Sequence, residues 1–457
     1  MTKSILSRAL AATLLAALAL PPAAPAQPAL APAPAALPDL ATLKTTLTLT
    51  DAQVRQITPV LDAQAKALAE VAAAQTKADT ARTEANTKIA ALLNDAQKTQ
   101  FATLGGRRGG GGGRGRGAVD LGPLPEIHAT VPNTLPGLLG KPLKWVSTGP
   151  LVVPVNDATH TVQSIKDPTI SFIDGKWEIY ATAHFTSTAS NTRNAFNMVH
   201  LSFTDWKDAP KAPLYYMDNN PNFTGYKCAP EMFYFPPQKK WYFIFQTQPP
   251  VFCTSTTPGD PNSWTKPEPF FAQGTPMPNL PIDFHCIGDG THMYMFFTGD
   301  DGNFYRSRTT YADFPKGFSN PVVAMRGTRN TVFEAGYTYK IKGTDKYLTL
   351  VEALGAGRYY RAYVADKLDG EWYPVEGFDT PEKPFAGKAN MTFEAGVEPW
   401  SGQVSHGELI RETNDERMVL DPNNLMFLYQ GIGDAENRGD YGALPYKLGL
   451  LRAVKAD

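Results

Sequence analysis

Five times between residues 167 and 408 the chain repeats one pattern: an acidic residue, a short apolar and aromatic run, a turn, and a second such run. The acids are Asp167, Glu231, Asp283, Glu334 and Glu408, at intervals of 64, 52, 51 and 74 residues. The paired runs are 169–173 with 177–181, 232–235 with 241–246, 284–287 with 293–298, 336–341 with 347–352, and 408–411 with 425–430. Asp174-Gly175 and Asp289-Gly290 mark two of the turns, because glycine supplies the positive φ that a tight hairpin needs. After each of the first four pairs comes a further segment, at 201–206, 263–264, 305–310 and 360–364. Five units of that length, each able to give four strands, are what a five-bladed β-propeller requires. The run 448–454 is suited to pair with the segment around 145–153 and close the ring. A β-sandwich also accommodates the strand spacing but leaves the repeated acids unexplained. The expected fold is all-β, a five-bladed propeller over 123–457, preceded by a small α-helical segment and a Gly/Arg-rich linker.

The repeat does not extend to the N-terminus. Lys3 and Arg8 precede an apolar stretch over 9–20, and Ala24-Pro25-Ala26 follows, the order of a secretory signal peptide over 1–26. This predicts a secreted or periplasmic protein with no membrane span once the signal is cleaved. Residues 27–40 are an Ala/Pro-rich linker. Over 41–104 glycine is absent and alanine dominates. Thr50 with Gln53, and Asn94 with Gln97, read as capping-box starts of helices, and Pro59 should kink the first. The repeated Leu-(Thr/Asn)-x-x-Gln pattern resembles small helical periplasmic proteins with LTxxQ motifs; a spacer or a self-association arm in contact with the envelope is the plainer use. Residues 105–122 form a Gly/Arg-rich linker.

Charge excludes several classes. The whole chain carries 43 basic and 44 acidic residues, which speaks against a nucleic-acid binder, and beyond residue 119 there are 30 basic and 37 acidic ones. A domain with that balance suits a neutral ligand. Three cysteines, Cys228, Cys253 and Cys286, allow one disulfide at most. In a propeller the innermost strands start near the axis, so acids at equivalent starts converge on one funnel. Converging carboxylates raise one another's pKa, an arrangement suited to a metal site or to hydrolysis of a glycosidic bond by a carboxylate pair. For Glu231 or Glu408 taken singly, a hydrogen-bonded strand-end carboxylate is the simpler reading.

From Trp145 to the C-terminus the chain resembles glycoside hydrolase family 62, the arabinoxylan α-L-arabinofuranosidases, which are related to family 43. The matching stretches are 162–169, 203–206, 229–238, 281–283, 296–302 and 305–310, then 333–335, 347–353, 405–411, 428–431 and 439–441. The resemblance implies that Asp167 is the general base, Glu334 the general acid, and Asp283 the residue that orients the acid and tunes its pKa. It implies that Lys166 contacts arabinose hydroxyls and that Tyr441 stands at the rim of the sugar pocket. It also implies that His406 faces the central channel, as a substrate-side residue and as a ligand of a structural calcium ion held largely through water. No organic cofactor is implied. Glu394, in a second Phe-Glu-Ala run, is set aside because an acidic loop and not a hairpin follows it. Gly442 and Tyr446 stand where the family leads one to expect Asn and Trp, and 278–284 is compressed and lacks a Trp. The function implied is an inverting glycoside hydrolase acting on arabinoxylan or a related plant polysaccharide. The rivals are a family 43-type furanosidase or xylosidase and a non-catalytic carbohydrate-binding propeller.

Overall fold

The computed structural model describes residues 127–186, 196–247, 249–437 and 444–454, with positions 125 and 441 and several between 50 and 59. The chain divides into two compact units, Met1–Gly112 and Gly113–Asp457.

In the first unit the described residues include a helix start. The Thr50 N–H donates to Gln53 Oε1 at 2.9 Å, and the Gln53 N–H donates to Thr50 Oγ1 at 3.4 Å. This is the reciprocal capping box read from the sequence, and Asp51, Val54 and Ile57 after it are helical. The expected signal peptide, the second helix start at 94–97 and the Gly/Arg run lie outside the described residues.

The second unit is a five-bladed β-propeller. Blade I holds Val162–Ile173, Lys176–Phe185, Phe196–Phe203 and Tyr215–Tyr216, and blade II holds Cys228–Phe235, Lys240–Gln246, Pro250–Ser255 and Glu268–Pro269. Blade III is Ile282–Gly288, His292–Thr298, Asn303–Thr310 and Val322–Arg326. Blade IV is Tyr337–Ile341, Tyr347–Leu354, Arg358–Ala365 and Tyr373–Pro374, and Val419–Leu420 adds in parallel to its innermost strand. Blade V joins the two ends of the domain. Ser405–Leu409, Met426–Gly431 and Lys447–Val454 come from the C-terminal part, and Lys144–Ser147 pairs antiparallel with the last of them. Met391–Phe393 then adds outside Lys144–Ser147 in parallel. The ring closes between the two segments that the sequence offered for it. Such closure ties residues some three hundred positions apart with backbone hydrogen bonds.

Blades face one another on both sides, so their middle strands are buried along nearly their whole length. Lys240–Gln246 is buried at every position after the first. Aromatic rings fill the wedge between blades II and III, where Phe235 and Tyr242 both lie 4.7 Å from Phe314. Two details differ from the sequence reading. The third strand of blade II is Pro250–Ser255, and Ser263-Trp264 is a loop that turns the indole inward to donate to Tyr180 Oη at 2.9 Å. The outermost strands of blades I, II and IV are only two residues long, too short to register as a hydrophobic period. All three cysteines are buried and unpaired.

Candidate active site

The innermost strands share one irregularity near their starts. Asp167, Ala229, Asp283 and Ala335 adopt left-handed backbone with φ of 47°, 48°, 57° and 51°. Pairing slips by a residue around Asp167, Ala229, Asp283 and His406. A bulge of this kind re-aims one side chain and frees one backbone N–H, and left-handed backbone at a non-glycine residue costs on the order of 1 kcal/mol or more. The freed N–H groups are received by the second strand of the preceding blade. Thr182 Oγ1 accepts from Ala229, Gln246 Oε1 from Asp283, Glu352 Oε2 from His406 and Gln430 Oε1 from Asp167, at 2.8, 3.0, 2.7 and 2.8 Å. The exception is Ala335, whose N–H donates 2.7 Å to the Asp283 carboxylate itself. Asp283 thereby holds the backbone directly after Glu334.

These bulges bring Asp167, Asp283, Glu334 and His406 together at one end of the central channel. His406 Nδ1 lies 3.2 Å from Asp167 Oδ1 and 3.8 Å from Asp283 Oδ2. Burial disfavours a charged imidazole, but the two aspartates outweigh it and push His406 up to about 9. Burial would raise Asp167 too, yet the His406 cation and hydrogen bond, with Lys166 beside it, hold that carboxyl well below the usual range. Glu334 moves the other way. Burial raises it, the Arg358 guanidinium opposes, Glu352 and Asp283 repel, and the result is about 7. Asp283 is raised chiefly by its own burial, with His406 offsetting part of that. One carboxyl is therefore ionised at any ordinary pH and another keeps its proton to neutrality.

Two residues of this site escaped the sequence reading. Arg358 Nη1 donates both to Glu334 Oε1 and, at 2.5 Å, to Glu352 Oε1. Glu352 is wholly buried, and its other oxygen accepts from Ser405 Oγ at 2.8 Å as well as from the His406 N–H. Ser405 Oγ in turn accepts from Gln430 Nε2 at 2.9 Å, and Gln430 caps Asp167. A continuous polar chain thus links Glu334 to Asp167 across blades IV, V and I. The available signal was a carboxylate inside an otherwise apolar strand, since a buried charge needs a partner.

Lys166 and Tyr441 stand side by side. Lys166 is 4% exposed, and its ammonium lies 4.2 Å from the Tyr441 ring centroid and 4.8 Å from that of Phe196. Tyr441 is 41% exposed, and its other side lies 5.1 Å from the Arg358 guanidinium. Tyr446, at an unexpected position for a tyrosine, is buried and accepts from Gln403 Nε2 at 3.2 Å. Gly442 lies outside the described residues.

Glu231 and Glu408 do not join this group. They stand two residues beyond the bulge positions Ala229 and His406, one layer deeper in the channel. Glu408 Oε1 forms an ion pair with Arg411 Nε at 2.8 Å, and its Oε2 accepts from Thr169 Oγ1 at 2.7 Å and the Ile170 N–H at 3.2 Å. Glu231 Oε2 accepts from the Cys286 N–H at 2.7 Å. Glu394 lies elsewhere, behind the outer strand of blade V, where it pairs with Arg452 at 2.9 Å.

For calcium, among the described residues no group of three or more His, Cys, Asp or Glu side chains is arranged to hold a metal ion. Calcium prefers oxygen. Asp167 engages Nδ1, and the protonated imidazole has no lone pair to give, so His406 fits a calcium ion only in its neutral form, through one nitrogen and with water as most of the shell.

The sequence model of glycosyl hydrolase family 62 matches residues 144–452. The chain is 41% identical over 321 residues to alpha-L-arabinofuranosidase C of Cellvibrio japonicus (strain Ueda107), an alignment covering 69% of this chain and 48% of that one. The chain thus spans about half the length of that curated relative. Among solved structures it is similar to the catalytic domain of a Coprinopsis cinerea family 62 alpha-L-arabinofuranosidase, with 37% identity and a TM-score of 0.63 over 68% of this chain and 97% of that one. The same four values hold for an alpha-L-arabinofuranosidase of Podospora anserina solved with cellotriose. The family match runs from the first residue of the strand that closes the ring to two residues before the end of the last strand, through every blade and every bulge that builds the site: the chain belongs to glycosyl hydrolase family 62.

Proposed function

We propose that this protein is an exported, inverting α-L-arabinofuranosidase that removes arabinose side chains from arabinoxylan or a related plant polysaccharide. One observation carries the reading: two carboxyls at one channel mouth have their pKa values pushed apart, Asp167 downward by His406 and Glu334 upward to about 7. In the mechanism Asp167 takes a proton from a water molecule as that water attacks the anomeric carbon. Glu334 gives its proton to the glycosidic oxygen as the carbon–oxygen bond breaks, and the configuration inverts. Asp283 keeps Glu334 in place through the Ala335 N–H and favours its protonated form by repulsion. Arg358 is set to neutralise Glu334 once the proton has left. Lys166 and Tyr441 bind the sugar at the rim, and His406 keeps Asp167 ionised. No step is assigned to calcium; it would bind His406 only in place of the imidazole's second proton, with water as most of its shell.

Export rests on the signal-like residues 1–26, and N-terminal sequencing of the mature protein tests it. For the helical segment 41–104 we propose self-association or envelope contact, tested by comparing the oligomeric state with and without it. The activity is tested by incubating the protein with wheat arabinoxylan. Free arabinose is the expected product, and proton NMR early in the reaction should show the β-anomer first. No arabinose, or the α-anomer first, overturns the assignment.

A further inference from the structure

Blades III and IV enclose a groove of about 320 Å³ apart from the channel mouth. Its walls include Arg326 from the outer strand of blade III, Arg361 from the third strand of blade IV, Trp372, Tyr363 and Thr331, and no carboxylate lines it. Among the described residues neither terminal nitrogen of Arg326 nor Nη2 of Arg361 has a hydrogen-bond partner, and unlike the Nε atoms of the same side chains they are not buried, so they are the donors a ligand in the groove can reach. The one acceptor supplied for either guanidinium is weak, the Thr331 carbonyl 3.3 Å from Arg361 Nη1. Arg361 also lies 5.3 Å from the Tyr363 ring centroid, which holds its planar fork in place.

The chemistry of the missing acceptor follows from the donors. Two guanidinium groups match a carboxylate, which takes paired N–H donors in a plane. The groove is too large for an inorganic ion alone, and its Tyr363 and Trp372 walls suit the apolar face of a sugar ring. Thr331 belongs to the loop that continues into Glu334, and Phe333 in that loop donates to the Glu352 carbonyl at 3.0 Å. A ligand in the groove therefore sits against the segment that carries the proton donor.

We propose that this groove is an accessory site for the carboxylate of a uronic-acid substituent on the polysaccharide, an assignment that rests on the polysaccharide reading above. The domain's excess of acidic residues makes a carboxylate-free groove with two arginines a specific feature and not a by-product of overall charge.

The test uses the full chain carrying Glu334→Gln, so that binding is read without turnover. Calorimetric titration with sodium glucuronate should show saturable binding, and glucose should show none. Arg361→Gln and Arg326→Gln should each weaken glucuronate by about tenfold or more, the scale of a lost charge-assisted hydrogen bond. No glucuronate binding, or binding indifferent to both arginine substitutions, overturns the proposal. Inorganic phosphate bound as tightly as glucuronate with the same arginine dependence overturns the uronate assignment and leaves a simple anion site. Arabinose release from neutral arabinoxylan by the unsubstituted chain is measured alongside. Glucuronate binding without that release sinks the activity and keeps the groove; release without glucuronate binding does the reverse.

Discussion

Two rings of side chains line the channel, two residues apart along the same strands, and they handle charge in opposite ways. At the mouth, the bulge positions present Asp167, Asp283 and His406, with Glu334 beside them, and the charges there are set against one another. One layer deeper, Glu408 is held by Arg411, Thr169 and Ile170, while Arg411 also donates to the Ile170 and Met232 carbonyls. The mouth keeps carboxyls in different protonation states; the deeper ring ties blades I, II and V together. The difference teaches that an acid at the head of a propeller strand has no fixed meaning. Its distance from the bulge decides whether it faces substrate or its neighbours.

The sharpest way to break this comparison is to neutralise one glutamate from each ring. Glu334→Gln removes the proton donor and should lower kcat by at least about a hundredfold, with the melting temperature nearly unchanged. Glu408→Gln leaves the Arg411 charge buried without its partner and should cost about 3–5 kcal/mol of stability in denaturant unfolding. A stable, inactive Glu408 variant would put that residue in the chemistry and merge the two rings.

A smaller effect is expected at Arg358. Arg358→Gln removes the cation that favours ionised Glu334, so the alkaline limb of kcat/KM should move upward from about 7. Turnover should fall by roughly tenfold to a hundredfold as the carboxyl loses its anchor. Arg358→Lys should restore the limb if charge is what matters. An unmoved limb means that Arg358 only fills space. Asp283→Asn should act in the opposite direction, because it removes a repelling charge. The limb should then drop by up to about one unit while the amide oxygen still receives the Ala335 N–H.

Much of the mouth was legible in the sequence, and the reasons are physical. Hairpins announce themselves through Asp-Gly turns and paired β-branched and aromatic runs, so the blades and their closing strand could be placed. The depth of each acid could not. It depends on left-handed backbone at Asp167, Ala229, Asp283 and Ala335, and aspartate and alanine carry no marker for that conformation as glycine would. By place in the repeat alone Glu408 and Asp167 look alike; their distance from the register slip is what separates them in depth. Arg358 and Glu352 stayed hidden for another reason. Each lies in a strand that reads as packing, and only their contact in blade IV shows that the two charges meet beside Glu334.

Glu231 offers the finest test of the comparison. Its carboxyl is buried, one oxygen receives the Cys286 N–H, and the other, Oε1, is buried with no partner. Burial, helped by the nearby Glu408 charge and opposed by the Cys286 N–H and Arg411, pushes its pKa well above the ordinary value. Because the folded pKa is raised, the native state binds a proton that the unfolded chain releases. The stability from that proton is complete below the unfolded pKa near 4.3 and is lost as pH rises through the folded value. Within that window each pH unit costs about 1.4 kcal/mol. Glu231→Gln replaces the protonated acid by a neutral group of similar shape, so at pH 4 the variant should match the parent within about 0.5 kcal/mol. Between pH 5 and 7 the parent should lose stability more steeply than the variant in urea unfolding. Parallel slopes would mean that Glu231 is ionised in the fold. The deeper ring would then hold an unneutralised carboxylate beside the Glu408–Arg411 pair, and the contrast with the mouth would fail at that residue.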